Sequence, residues 1–197
     1  YGNETAAHHI LFENVEIARI GNGGNQDGLK VSGIRNLWVR NCQFVRTSGS
    51  AIDHVGCHSV VIERCEFHGC GDNAVQCKGG SSNIEIRWNS FHNYGHRGVN
   101  IGGSTGDDYF RPPLKKDAEN VEASDIRVLG NLFTGGETPF AFVGSVNCLA
   151  AHNTVIDPAL WLLRILQERV TDDKFKFTPC CNNTVENNIF YFEGTRI

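Results

Sequence analysis

The chain has 197 residues, of which 20% are charged, and a formal net charge of −4. Charges of both signs are interspersed, so no basic face points to nucleic acid, and the longest apolar stretch, around Leu160–Leu166, is too short to span a membrane and contains Arg164. A chain of this length makes one domain, residues 1–197, and its eight cysteines favour an oxidising compartment, extracellular or periplasmic.

From the N-terminus onward a phrase recurs seven times: FENVEI, VRNCQF, IERCEF, IRWNSF, VLGNLF, AAHNTV and VENNIF. Each pairs a small or amide residue with an apolar one two places later. The pairs are Val15/Ile17, Cys42/Phe44, Cys65/Phe67, Asn89/Phe91, Asn131/Phe133, Asn153/Val155 and Asn188/Phe190. Intervals between the apolar members are 27, 23, 24, 42, 22 and 35 residues, a core period near 23 with two long insertions. Such a period means a solenoid. Within a repeat, runs such as Val60–Arg64 and Ala74–Lys78 alternate apolar and polar residues at the strand period. Glycines punctuate the junctions, where left-handed or bulged turns are needed. A leucine framework is absent, so the expected fold is all-β: a right-handed parallel β-helix of about seven coils, each of two or three short strands. Like residues then lie over like at about 4.8 Å. The phenylalanines form an aromatic ladder in the bore, and the asparagines satisfy one another and the turn backbone.

The N-x-F/V phrase followed by a glycine-rich bend resembles the repeats of pectate-lyase-like parallel β-helix proteins. These include polysaccharide lyases, pectin-degrading hydrolases and mannuronan epimerases. The resemblance runs from about His9 to Phe192 and implies the fold, together with action on, or binding of, polysaccharide. The chain contains no methionine and opens in a coil without a capping helix pattern, which gives the expectation of a segment lacking its terminal caps. Cys42 and Cys65 share a column, compatible with a disulfide or with an inert buried pair.

The insertions, about 103–124 and 166–181, both leave the stack after the second strand of a coil and so should project from one side. Loops of this kind collect binding residues; Arg111 in the first and Glu168 in the second are candidates. Aligning DGLKVSG, AIDHVGC, AVQCKGG, GVNIGGS, FAFVGS and LLRILQ places Lys30, Asp53, Gln76, Asn100, Phe142 and Arg164 in one external column. Ser32, Lys78 and Gly102 stand beside it, with His54 and Arg97 close by. Such a face suits a saccharide groove, in which cations clamp uronate carboxylates while amides and Asp bond hydroxyls. The stretch from Lys78 through Asn89-Ser-Phe91 to Gly95 resembles the catalytic coil of the chondroitinase B and alginate lyase family. That resemblance implies Lys78 as the base of a β-elimination. The family's arginine column holds Gly102 here, and the nearest candidate for neutralising the carboxylate is Arg97.

Asp27, Asp53 and Asp72 recur near strand starts, so calcium is a possible cofactor, although Asp before a strand is also ordinary turn chemistry; no zinc spacing is present. The leading expectation is therefore a polysaccharide lyase on a uronate-containing polymer, monomeric or stacked end to end. A non-catalytic carbohydrate-binding or structural β-helix is the alternative, and a hydrolase or epimerase on the same fold the third.

Overall fold

The computed structural model describes residues 6–24 and 26–193. Three parallel sheets make the coils, beside a two-stranded one between the insertions. The first contains Ala7–Glu13, Ile34–Arg40, His58–Glu63, Ser81–Arg87, Ala123–Leu129, Leu149–Ala151 and Thr184–Glu186, the second Glu16–Ile20, Gln43–Thr47, Glu66–His68, Ser90–His92, Leu132–Thr134, Thr154–Ile156 and Ile189–Tyr191. In the third, Leu29–Ser32, Ile52–Val55, Asn73–Lys78, Arg97–Gly102, Thr138–Val143 and Arg164–Leu166 lie side by side. One strand of each sheet in turn makes a coil, so the chain is a right-handed parallel β-helix of seven coils with three strands in a full coil. Among the described residues the only helical turn is a 3-10 segment, Asp107–Tyr109, within the first insertion.

The recurring phrase is the register of the second sheet. Ile17, Phe44, Phe67, Phe91, Phe133, Val155 and Phe190 pair one above the next. The rings of Phe44, Phe67, Phe91 and Phe133 stack at 5.1, 4.7 and 4.5 Å, within 8° of parallel. Inward rows such as Leu37, Val60, Ile84 and Ile126 complete a narrow core, all at most 1% exposed. Burying it is the main favourable term of folding.

At the corner between the first and second sheets the asparagines form a ladder. Asn131 Oδ1 accepts from the Asn89 backbone N–H at 2.9 Å, and Asn153 Oδ1 from that of Asn131 at 2.9 Å. Each Nδ2 donates to a carbonyl of the coil before: Asn89 to Ile62, Asn131 to Ile86 and Asn153 to Val128. Higher in the column Cys42 and Cys65 do the same with thiols, donating to the Phe12 and Val39 carbonyls at 3.6 Å. All eight cysteines are free thiols, so this pair is the buried, unbridged alternative. Burial pushes Cys65 up to about 12 and Cys57 to about 11, which keeps them protonated and unreactive.

The residue before each rung adopts a left-handed conformation whatever its type: Asn14, Asn41, Arg64, Trp88, Gly130, His152 and Asn187 have φ between 51° and 62°. Both expected insertions occupy turns from the third sheet to the first, and they meet. Glu119–Asn120 pairs in parallel with Lys176–Phe177, Arg169 bridges to Asp107 at 2.6 Å, and the Phe110 and Phe177 rings lie 5.8 Å apart. Among the described residues, no helix is long and apolar enough to cross a membrane.

Candidate functional site: a groove on the third sheet

Alternation turns every second residue of the third sheet outward. The observed outer row is Lys30, Asp53, Gln76, Asn100, Ala141 and Arg164. The register corrects two expectations. Phe142 pairs with Ile101 and is buried, and Ala141 takes the outer position. His54 lies in the inward row with Val31 and Cys77 and is 0% exposed, so it cannot touch a ligand. Its Nδ1–H donates to the Gln76 carbonyl at 3.1 Å, and burial lowers its pKa to about 4.

Over this row lies a cavity of about 530 Å³ whose floor and walls include Asp72, Asn73, Gln76, Lys78, His96, Arg97, Asn100, Ser104, Arg164 and Glu168. Its floor is cross-linked by hydrogen bonds, with Asn73 Oδ1 left buried and without a partner. Asn73 Nδ2 donates to Gln76 Oε1 at 3.2 Å, Arg97 to Asn100 Oδ1 at 2.8 Å, and Asn100 Nδ2 to the Gly102 carbonyl at 3.2 Å. Arg97 also reaches Glu168 of the second insertion at 3.4 Å. Arg164 lies over the Trp161 ring at 4.5 Å, at the far end. In this groove Gln76 and Asn100 are nearly buried (9% and 1%), not the freely projecting residues that an outer strand face suggests.

Asp72 opens the strand Asn73–Lys78 and is half-buried. Burial raises its carboxyl above the usual carboxylate range, although His96, Arg97 and Lys78 each pull it down. The His96 backbone N–H donates to the Asp72 carbonyl at 2.7 Å, stacking the two strand starts, and the His96 ring meets Glu137 at 2.9 Å. Six expected site residues therefore converge: Lys78, Arg97, Gln76, Asn100, Arg164 and Glu168. Lys30 lies outside this cavity, bonded to Asp27 at 2.9 Å and Asp53 at 2.6 Å. Asp53 is 2% exposed beneath Lys30 and Lys78. Arg111 packs over the third-to-first corner, its backbone N–H donating to the Gly79 carbonyl at 3.0 Å and its side chain to the carbonyls of Asp108 and Phe110, away from the groove. Asp72, a calcium candidate from the sequence, lines the groove, and the alignment missed Asn73 and His96 beside it. The signal was available in the shared offset of Gly71-Asp72-Asn73 and Gly95-His96-Arg97 on consecutive coils.

Gly102 holds the column where the lyase resemblance would place arginine, for a backbone reason. Its φ is +102°, and a Cβ there would sit 1.8 Å from the Val143 carbonyl oxygen. The expected calcium carboxylates do not converge: Asp27 and Asp53 share Lys30, while Asp72 faces the groove. Among the described residues, no three His, Cys, Asp or Glu side chains group as metal ligands.

Residues 4–107 match the family described as "Right handed beta helix region". The chain belongs to that family. This β-helix is similar in fold to an exopolygalacturonase from Thermotoga maritima (17% identity, TM-score 0.64), covering 90% of this chain and 42% of that one. It is also similar to a mutant tailspike protein of E. coli bacteriophage HK620 in complex with hexasaccharide (15% identity, TM-score 0.54), covering 96% and 35%. The chain thus spans less than half the length of either structure. No curated protein matches it.

Proposed function

We propose that the third-sheet groove holds an acidic polysaccharide and cleaves its glycosidic bond, with Asp72 donating the proton to the leaving oxygen. The observation that carries this reading is a half-buried carboxyl, raised by burial, on the floor of a groove that also presents Arg97, Lys78 and Arg164. Burial biases the carboxyl towards the protonated form that a general acid needs. The guanidinium and ammonium groups suit uronate carboxylates, and Asn73, Gln76 and Asn100 suit hydroxyls. The open shape accommodates a polymer. The names of the two similar structures, an exopolygalacturonase and a hexasaccharide complex, speak for a saccharide ligand. An extracellular or periplasmic location belongs to this proposal, since the polymer lies outside the cytoplasm.

Hydrolysis needs a second carboxylate to activate water, and Glu168, held by Arg97, is the one the groove supplies. A second reading, β-elimination, is favoured by the placing of Lys78 and Arg97 on adjacent strands along one groove. There Lys78 would take the proton beside the carboxylate that Arg97 neutralises. Against it, the Lys78 ammonium is engaged by Asp53 at 3.5 Å.

Incubation with a panel of uronic-acid polysaccharides separates these readings. New reducing ends without ultraviolet absorbance from an unsaturated product support hydrolysis; the same ends with that absorbance support elimination. Asp72→Asn should lower turnover at least about 100-fold. Binding without any cleavage would leave a carbohydrate-binding module, and no binding to any member of the panel would overturn the reading.

A further inference from the structure

We infer that a second saccharide subsite lies beside the groove and takes a sugar unit carrying an anionic group. It is a cavity of about 640 Å³ whose lining includes Lys30, Val55, Lys78, Ser104, Thr105 and Tyr109. Lys78 and Ser104 also line the main groove, so the two spaces adjoin. The inference rests on the acidic-polysaccharide reading and extends it from one linear track to a path that turns across the row of Ser32, Val55 and Lys78 towards the first insertion.

Charge, shape and rigidity carry it. Lys30 and Lys78 hold their ammonium groups 2.6 and 3.5 Å from the same Asp53 oxygen. Asp27 and Asp53 match the two ammonium charges from below, their side chains 3% and 2% exposed, so it is the Lys30 ammonium, on a side chain 54% exposed, that a ligand meets. The other Asp53 oxygen, Oδ1, is buried without a hydrogen-bond partner. Tyr109, about half exposed, lines the same cavity as the two lysines. An aromatic face beside cations is the arrangement that takes a sugar ring by its apolar side while its carboxylate or sulfate meets the charge.

The wall bearing this ring is built rather than incidental. Glu122 is 1% exposed, and its carboxylate accepts from the Thr105 backbone N–H at 2.8 Å, the Thr105 hydroxyl at 2.7 Å and the Gly79 N–H at 3.0 Å. The ring lies against Gly106, where a Cβ would come within 3.2 Å of it. The next residue, Phe110, is buried at 1% exposure, and Arg169 ties the turn through Asp107 at 2.6 Å. A platform fixed in this way loses little freedom on binding.

The test is titration calorimetry of linear oligogalacturonides of increasing length, in an Asp72→Asn background that prevents turnover. Affinity should rise with length, and Tyr109→Ala should remove the increment of the longer oligomers, about tenfold. Tyr109→Phe should retain it, because stacking needs the ring and not the hydroxyl. Equal affinities of the parent and Tyr109→Ala at every length would overturn the subsite and leave the groove reading standing. A loss as large for dimers as for long oligomers would place Tyr109 in the main groove, and the separate subsite would be wrong. No binding at any length by the parent would remove both.

Discussion

His54 and Asp72 titrate with opposite consequences, because burial lowers the pKa of one and raises that of the other. His54 is neutral in the folded state, its pKa lowered from 6.5 to about 4 by complete burial. Its folded pKa lies below its unfolded one, so its contribution to stability is complete above pH 6.5 and is lost as pH falls through about 4. The loss is on the order of 3 kcal/mol. Urea unfolding should show a steep decline between neutral pH and the range near the lowered value, and His54→Leu should flatten it. An unchanged acid limb in that variant would show that another group is responsible. For Asp72 the folded pKa is raised, so the ionised carboxyl costs stability above its unfolded value. Asp72→Asn should therefore unfold at a higher urea concentration at neutral pH while losing cleavage; a variant that loses both would make Asp72 a structural residue. Sequence alone could not assign Asp53 and His54 to opposite faces. Two adjacent polar residues fit either phase of a period-two pattern, and only the register against Gln76 and Cys77 decides.

Among the elements, the legible ones were those in which one residue type does one job on every coil. The phenylalanine column and the amide column could be read because stacking like on like satisfies both ring packing and hydrogen bonding. Asn131→Ala would orphan the Asn89 backbone and side-chain N–H groups together with the Ile86 carbonyl. It should lower stability by about 3 kcal/mol or more with saccharide affinity unchanged. A loss of affinity without a loss of stability would contradict the assignment of inside and outside. The slip from Ala141 to Phe142 arose where Phe140–Val143 is wholly apolar and carries no alternation to count. Less legible still was a second left-handed column inside the first sheet: His9, Asn36, Ser59, Asn83, Asp125 and Asn147, with φ between 54° and 58°. Five of the six are Asn, Asp or His, the types that best tolerate this conformation, but the runs around them do not repeat, so no phrase marks the column.

For the whole molecule, the side from which the insertions leave was readable from their position in the repeat, but their union was not, because loops have no period. A solenoid is ordinarily stabilised by each repeat against its immediate neighbours. Here the first insertion leaves the fourth coil and the second leaves the sixth, and they join across the fifth. The Asn120 side chain donates to the Lys176 carbonyl at 2.9 Å, and the Thr178 N–H to the Asn120 carbonyl at 2.9 Å. Hydrogen exchange should therefore find the amides of Thr138–Val143 opening together with those of Arg97–Gly102, and Asn120→Ala should let the former exchange sooner. Independent exchange of the two strands in the parent protein would rule out the coupling. The same lashing changes how the molecule meets a load. A plain stack pulled from one end peels a rung at a time, each giving way at about the same force. In this one the peeling front stops at the joined loops, which act as a catch. The two coils carrying Gln76 and, on the next, Arg97 and Asn100 then keep their spacing while the end beyond the catch comes and goes, so the floor of the groove holds its shape under tension.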